Sequence, residues 1–396
     1  MNFTIHNGDN RDILKTLDDN SIDAIVTDPP YGIDFLGKSW DANTGALETY
    51  TECLRVLKPG GYILAFSAAR TYHHLAVTLE QAGFEIRDQL MWLYSSGFPK
   101  AQDIGKAIDK RAGKTDPNYG TTNNNGTSGG INLSFTEDHI GGSRRCNRCN
   151  KDVAAQYNCK DAECGLQYNP QTSLGQQWAG WKTALKPGHE PICMARKPFK
   201  GSTIDNVLEH GLGALNIDAT RIATDETLCG SGKKNANGSY TRHQGKEFGQ
   251  GMMPVVEYNG SQGRFPSNVL GEVEGYQKFF YCPKVSRKER HVGFEDPGPR
   301  HPGADGGGYQ VHTVNDELIV KGEDTGEGNN HPTVKPVELM KYLIKLVTPP
   351  NSTVLDPFTG SGSTGMAAVE LGHTFIGCDL DPNYVRIAET RIAAWN

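Results

Sequence analysis

The stretch TDPPYG, Thr27 to Gly32, holds the residues of this 396-residue chain whose types and order point most directly to chemistry. An ionised Asp28 offers acceptor lone pairs and no donor, so it suits an –NH2 group. Pro29 and Pro30 have fixed φ, and each restricts the residue before it toward extended conformations. The corner is therefore rigid, and the Asp28 carboxylate and Pro29 carbonyl can be aimed with little entropy left to lose. Tyr31 supplies a ring on which a flat base can stack. DPPYG is also a good turn sequence, and a turn without a ligand is the competing reading.

A second chemical group is LDPFTGSGSTG, Leu355 to Gly365. Gly360 and Gly362 permit positive φ and let backbone approach a ligand, and the helix that follows presents free N–H groups. Further on, the apolar run TFIGCD ends on Asp379, an acid suited to the ribose hydroxyls of a nucleoside-bearing cofactor. Gly360, Gly362 and Gly365 also match G-x-G-x-x-G, so a nicotinamide dinucleotide has to be considered. Asp356, however, puts negative charge where a pyrophosphate would lie. It fits better with a phosphate-free ligand such as S-adenosylmethionine, which carries an ammonium and a cationic sulfonium, with Phe358 packed against it. A tight strand–helix turn with no ligand is the alternative.

A third group is Cys146, Cys149, Cys159 and Cys164, spaced C-x2-C-x9-C-x4-C. Both pairs fall within zinc-ligand spacing, and thiolates suit a tetrahedral structural Zn2+. The other reading is four unligated thiols in a loop.

These groups need rigid elements to hold them. Residues 1–110 and 331–396 alternate short apolar runs with amphipathic helical patterns, the signature of βαβ units on a parallel sheet. FTIHNGD, IDAIVTDPP, YILAFS, TVLDPF and TFIGCD read as strands. NRDILKTL, ETYTECLRVLK and STGMAAVEL read as helices, and KPVELMKYLIKLV puts Val337, Met340, Leu343, Ile344 and Val347 on one helical face. In such a sheet, ligands sit beyond the carboxyl ends of the strands, where the strand order reverses. Between the two ends of the chain, Gly-rich stretches such as 118–133, 229–251 and 301–312 are loop-like. The expected organisation is one α/β domain, its halves at 1–114 and 326–396, split by an irregular insertion over 115–325.

Bulk properties exclude little. The net charge of −6 does not advertise a nucleic-acid binder, although local patches such as RRCNRCNK (144–151) can bind phosphates. No apolar run reaches the length of a membrane span, and the N-terminus lacks a signal-peptide layout, so a soluble cytoplasmic protein is expected.

Together, TDPPYG (27–32) and LDPFTGSGST (355–364) resemble the amino-methyltransferases of DNA, specifically the adenine-N6 group. That family carries a D/N/S-P-P-Y/F motif and a D-P-F-x-G-x-G motif on a Rossmann-like sheet. Because the catalytic motif comes first here, the chain looks like the permuted subclass called beta. The resemblance extends to HPTVKPVELMKYLI (331–344), LKPGGYILAF (57–66) and CDLDPNYVRIAETRI (378–392), about half the chain. Ser363 and Asp379 stand where the family often has Thr and Glu, and they keep the hydroxyl and the carboxylate.

The resemblance implies that Asp28, Pro29 and Tyr31, at a corner stiffened by Pro30, hold the target base. It implies that Asp356, Phe358, Gly360, Gly362, Thr364 and Asp379 line the S-adenosylmethionine pocket. Asp9 would lie near the cofactor's adenine, and Thr333 and Lys335 near its methionine end. The implied activity is sequence-specific transfer of a methyl group to adenine N6 of a flipped base in double-stranded DNA. Cytosine N4 fits the same corner, and a zinc-bearing regulator on an inactive scaffold is the reading from another class. The insertion would be the target-recognition region, in a bacterial or phage-encoded protein. Arg144, Arg145, Arg148 and Lys151 beside the cysteines would contact DNA, with Lys100, Lys182 and Arg264 as further phosphate contacts. Members are often dimers; a restriction partner is left open.

Overall fold

The computed structural model describes residues 2–33, 44–94, 101–116, 143–145, 152–154, 168–185, 187–223, 263–271, 285–294, 311–314, 317–320, 328–329, 331 and 333–395. In chain order the elements are β1 (Phe3–Asn7), α1 (Asn10–Leu14), β2 (Ile22–Thr27), α2 (Leu47–Val56), β3 (Leu57–Phe66), α3 (Tyr72–Ala82), β4 (Glu85–Leu93) and α4 (Ile104–Arg111). They continue with β5 (Ser143–Arg145), β6 (Asp152–Ala154), α5 (Ser173–Gln177), β7 (His189–Arg196), α6 (Thr203–His210), a 3-10 turn (Asp218–Thr220), β8 (Val269–Gly271) and α7 (Arg287–Arg290). The last are β9 (Val311–Val314), β10 (Glu317–Val320), α8 (Val337–Val347), β11 (Thr353–Asp356), α9 (Ser363–Glu370), β12 (Thr374–Asp379) and α10 (Pro382–Ala394).

Two compact units result, Met1–Gly97 with Gly188–Asn396, and Phe98–Pro187. The first is built on a sheet of order β1-β12-β11-β2-β3-β7-β4-β8. Neighbours from β1 to β3 are parallel, β7 runs antiparallel to both β3 and β4, and β4 and β8 are parallel. One edge therefore gathers the carboxyl ends of seven strands and the amino end of β7.

Side chains alternate between the two faces of this sheet, as the strand period requires. Ala24, Val26, Leu64, Phe66 and Val354 face one core with Met340, Leu343 and Phe375. Ile25, Ile63, Ala65 and Leu355 face the other with Cys53, Leu75 and Leu79. β2 is buried at every position, the condition of a central parallel strand covered on both faces. In α8 the expected face is buried, and so are Leu339, Tyr342 and Leu346, because α9 and the 218–220 turn pack on this helix besides the sheet.

The sheet departs from the expected plan in two places. β3 begins at Leu57, immediately after α2, and not at Tyr62, because Leu57 already pairs with Ile22 before a register shift. More consequentially, β7 and β8 come from the span expected as an irregular insertion over 115–325. HEPICMAR earns its place through pairing with β3 and β4, which lie far away in sequence, and its Ile192 and Met194 face one core while Cys193 and Ala195 face the other. Leu93 pairs with His189, and Tyr94 N donates to Gly188 O at 3.0 Å, so the chain leaves β4 and enters β7 at adjacent points.

Within Phe98–Pro187, the buried Asp109 carboxylate joins α4 to the segment leading into α5. It accepts from Tyr168 Oη at 2.9 Å, Gln171 N at 2.5 Å, Thr172 N at 3.1 Å and Thr172 Oγ1 at 2.6 Å. The antiparallel pair β5–β6 flanks residues 146–151. No helix among the described residues is long and apolar enough to cross a membrane.

The packing of α9 on the sheet rests on a missing side chain. A Cβ on Gly365 would stand 2.3 Å from Ile392 Cδ1 and 2.7 Å from Phe375 Cε1. Gly365→Ala is expected to cost about 1–3 kcal/mol of overpacking, read as a lower urea midpoint.

Candidate active site

The two chemically suggestive stretches meet because β2 and β11 are neighbours. Val354 pairs with Ala24 and Leu355 with Ile25. Past the last pair, Thr27 Oγ1 donates to Asp356 Oδ1 at 2.6 Å in the buried interior. Asp356 also accepts from Phe358 N at 3.1 Å and from Thr364 Oγ1 at 2.7 Å. Burial still dominates and pushes the Asp356 carboxyl up to about 6 against these hydrogen bonds, with the Asp28 charge adding to the rise. Asp28 follows Thr27 and Phe358 follows Asp356 by two, so both lie just beyond adjacent strand ends.

The glycine turn has the conformation its sequence requires. Gly360 has φ +52° and Gly362 φ +81°, both left-handed. A Cβ would lie 2.9 Å from His331 Nε2 at Gly360 and 2.9 Å from Ala388 Cα at Gly362, so both conformation and space call for glycine. Asp379, at the end of β12, accepts from Gly360 N at 2.8 Å and Asp381 N at 2.9 Å. Burial pushes its carboxyl up to about 6. Behind the turn, the fully buried Arg391 donates to Ser361 O and to Ser361 Oγ at 3.1 Å, and reaches Glu289 O at 3.0 Å. The Glu289 carboxylate accepts Val337 N at 2.6 Å, capping α8 from outside that helix.

At the proline corner, Tyr31 Oη donates to Asp28 Oδ1 at 2.7 Å and lies 3.0 Å from Glu190 Oε2. Burial, then the two acids, push the Tyr31 hydroxyl well above its ordinary range, so it stays protonated. Lys335 Nζ donates to Asp28 Oδ2 and lies 3.5 Å from Glu190 Oε2. Burial pulls this ammonium's pKa down, but Asp28 and Glu190 outweigh it and leave it raised.

The structure thus brings Asp28, Pro29, Pro30 and Tyr31 to one strand end, beside Asp356, Phe358, Gly360, Gly362, Thr364 and Asp379. Asp9 lies two residues past the end of the first strand, where it caps α1 and pairs with Arg11 at 2.5 Å. Thr333 lies against His331, its carbonyl 2.7 Å from Nδ1. Lys335, which the resemblance assigns to the methionine end of a cofactor, has its ammonium on the acids of the proline corner. Sequence reasoning missed Glu190, which reaches this corner only because β7 is reversed, and Arg391, which reads as a surface residue of a terminal helix. Cys146, Cys149, Cys159 and Cys164 lie outside the described residues, as do Lys100, Arg148 and Lys151. Among the described residues, no group of three or more His, Cys, Asp or Glu could hold a metal ion.

The chain matches the N6/N4 methyltransferase family, described as DNA methylase, over residues 22–139 and 177–390. It is similar to the Type II methyltransferase M.HindIII of Haemophilus influenzae, 24% identical over 435 residues that cover 98% of this chain and 94% of that one. A shorter match, 41% identical over 66 residues, covers 17% of this chain and 22% of the DNA adenine methyltransferase YhdJ of Escherichia coli. Among solved structures, the PvuII DNA methyltransferase (cytosine-N4-specific) aligns over 99% of this chain and 86% of that one, at 12% identity and a TM-score of 0.44.

The two raised carboxyls have a consequence for stability. Asp356 and Asp379 titrate at about 6 in the folded chain against an ordinary 3.8. The folded state therefore binds more protons between these values, and the stability they contribute at acid pH is lost as pH rises through the folded value. Asp356→Asn removes one of the two contributions. Its urea midpoint is expected to change less than that of the parent chain between pH 4 and pH 6.

Proposed function

The chain belongs to the N6/N4 family of DNA methylases, and from that premise we propose that it moves a methyl group from S-adenosylmethionine to the N6 amino group of adenine, at a specific sequence in double-stranded DNA. The observation that carries the reading is the Thr27–Asp356 hydrogen bond, which holds the acid-and-carbonyl corner and the glycine turn at adjacent strand ends. The order of the two motifs supports the permuted beta arrangement.

The residues at the turn fit a cationic nucleoside cofactor. Asp356 and Asp379 put a buried and a half-buried acid there. Each Asp379 oxygen already accepts one backbone N–H and has a further lone pair for a ribose hydroxyl. Asp356 spends its acceptors on Thr27, Thr364 and Phe358, so it serves the pocket through charge and by holding the turn. Phe358, Gly360, Gly362, Thr364, Asp379, Asp9 and Thr333 are the proposed cofactor surroundings. When bound, S-adenosylmethionine supplies an electrophilic methyl group on a cationic sulfur.

The corner does the rest. An exocyclic amine on adenine delocalises its lone pair into the ring and is a poor nucleophile. Asp28 and the Pro29 carbonyl would accept its two N–H groups and localise the lone pair on nitrogen, while Pro29 and Pro30 keep both acceptors fixed. Attack is then a direct displacement helped mainly by positioning. The base must leave the duplex stack at a cost of a few kcal/mol, and stacking on Tyr31 offsets part of it. Asp at position 28 favours adenine over cytosine N4, as does the likeness to a relative named for adenine.

Incubation with labelled S-adenosylmethionine and unmethylated DNA, followed by digestion to nucleosides, tests the reading. Label is expected on N6-methyladenosine; label on N4-methylcytosine moves the reaction to the other amine, and no label overturns the enzyme reading. Asp28→Ala is expected to lower kcat by about 10²–10³-fold while cofactor binding changes little by calorimetry. The four cysteines keep their zinc-ligand spacing, and the first pair lies in sequence between the paired strands β5 and β6. Metal analysis of the purified protein is expected to find about one zinc per chain; none would leave the cysteines as plain thiols.

A further inference from the structure

Two acids share one ammonium at the proline corner. Lys335 Nζ donates to Asp28 Oδ2 and lies 3.5 Å from Glu190 Oε2, and the Tyr31 hydroxyl spans the same two acids at 2.7 and 3.0 Å. The Lys335 side chain is 6% exposed. The Phe66 and Tyr31 rings lie 5.1 and 5.6 Å from its nitrogen. In this arrangement both Asp28 oxygens are engaged, Oδ1 by Tyr31 and Oδ2 by Lys335. An incoming amino group needs an Asp28 acceptor, and it competes there with an ammonium, a stronger donor than a neutral amine.

Lys335 can yield only if its charge stays paired, because a buried ammonium without a counter-ion is costly. Glu190 stands ready at 3.5 Å, so the transfer needs a small shift of a flexible side chain and no backbone movement. The position of Glu190 follows from topology: it pairs with Trp92 at the amino end of the reversed strand, on the edge where its neighbours end. We propose that Glu190 is a positioning residue that takes Lys335 from Asp28 when the target amino group arrives. Asp28 is then released from its own ion pair as the amino group binds, and becomes a full carboxylate acceptor at that moment. This inference rests on the methyl-transfer reading of Asp28.

The test is a set of variants of the full chain, assayed for methyl transfer to DNA and, separately, for S-adenosylmethionine binding by calorimetry. Glu190→Gln keeps size and removes the charge, so Lys335 stays on Asp28. Turnover at saturating DNA is expected to fall about 10–100-fold, with cofactor affinity and thermal midpoint close to those of the parent chain. Glu190→Asp is expected to restore part of the loss. Adding Lys335→Met to Glu190→Gln removes the trapped ammonium, and the double variant is expected to turn over faster than Glu190→Gln alone. Unchanged turnover in Glu190→Gln, or a double variant no faster than the single one, overturns the handover. If the parent chain itself methylates no DNA, the failure lies with the methyl-transfer reading and not with Glu190.

Discussion

One hydrogen bond organises the active region. Thr27 Oγ1 and Asp356 Oδ1 are 329 residues apart in sequence and 2.6 Å apart in space. An ionised carboxylate in that buried position is tolerable only when hydrogen-bonded, and Asp356 finds its donors on Thr27, on Thr364 at the start of α9, and on its own turn at Phe358 N. The strand pairing of β2 with β11 sets the approach, and the carboxylate fixes the final alignment of the corner, the turn and the following helix. Loss of any of those donors leaves a buried acceptor short, so the geometry of both stretches is coupled to one side chain.

Charge is distributed with the same economy. Asp28, Asp356 and Asp379 stand at the ends of β2, β11 and β12, strands that are successive neighbours in the order β12-β11-β2. Burial raises two of these carboxyls to about 6. At neutral pH the edge holds more negative charge than its solvation favours, and a cation brought there relieves it. Lys335 does so at the Asp28 end. At the Asp379 end the carboxylate is met by the backbone N–H groups of Gly360 and Asp381.

What could be read from the sequence depended on how local its cause was. The glycine turn was legible because Gly360 and Gly362 are dictated by their own φ and by His331 and Ala388 close at hand. The proline corner was legible because fixed φ is a property of the residues themselves. β7 was not, since HEPICMAR becomes a central strand only by pairing with segments about a hundred residues away, and Pro191 near its start argues for a loop. Glu190 was lost with it, as was the ion pairing of Lys335 with the two acids, because neither has a sequence spacing that ties it to Asp28. Arg391 escaped notice for a related reason. Its burial follows from the meeting of α10 with the glycine turn and the 286–290 segment, and a basic residue late in a terminal helix ordinarily reads as solvated.

The reversed strand also bears on how such a chain can diversify. Because β7 returns antiparallel, the chain exits at Tyr94 and re-enters at Gly188, two residues joined by a backbone hydrogen bond of 3.0 Å. Whatever hangs from that junction contributes only a slowly growing closure entropy, about 0.6 kcal/mol for each doubling of length. The spliced segment can therefore lengthen or shorten while the sheet keeps its register, because the two ends of the break are already held together by the sheet itself.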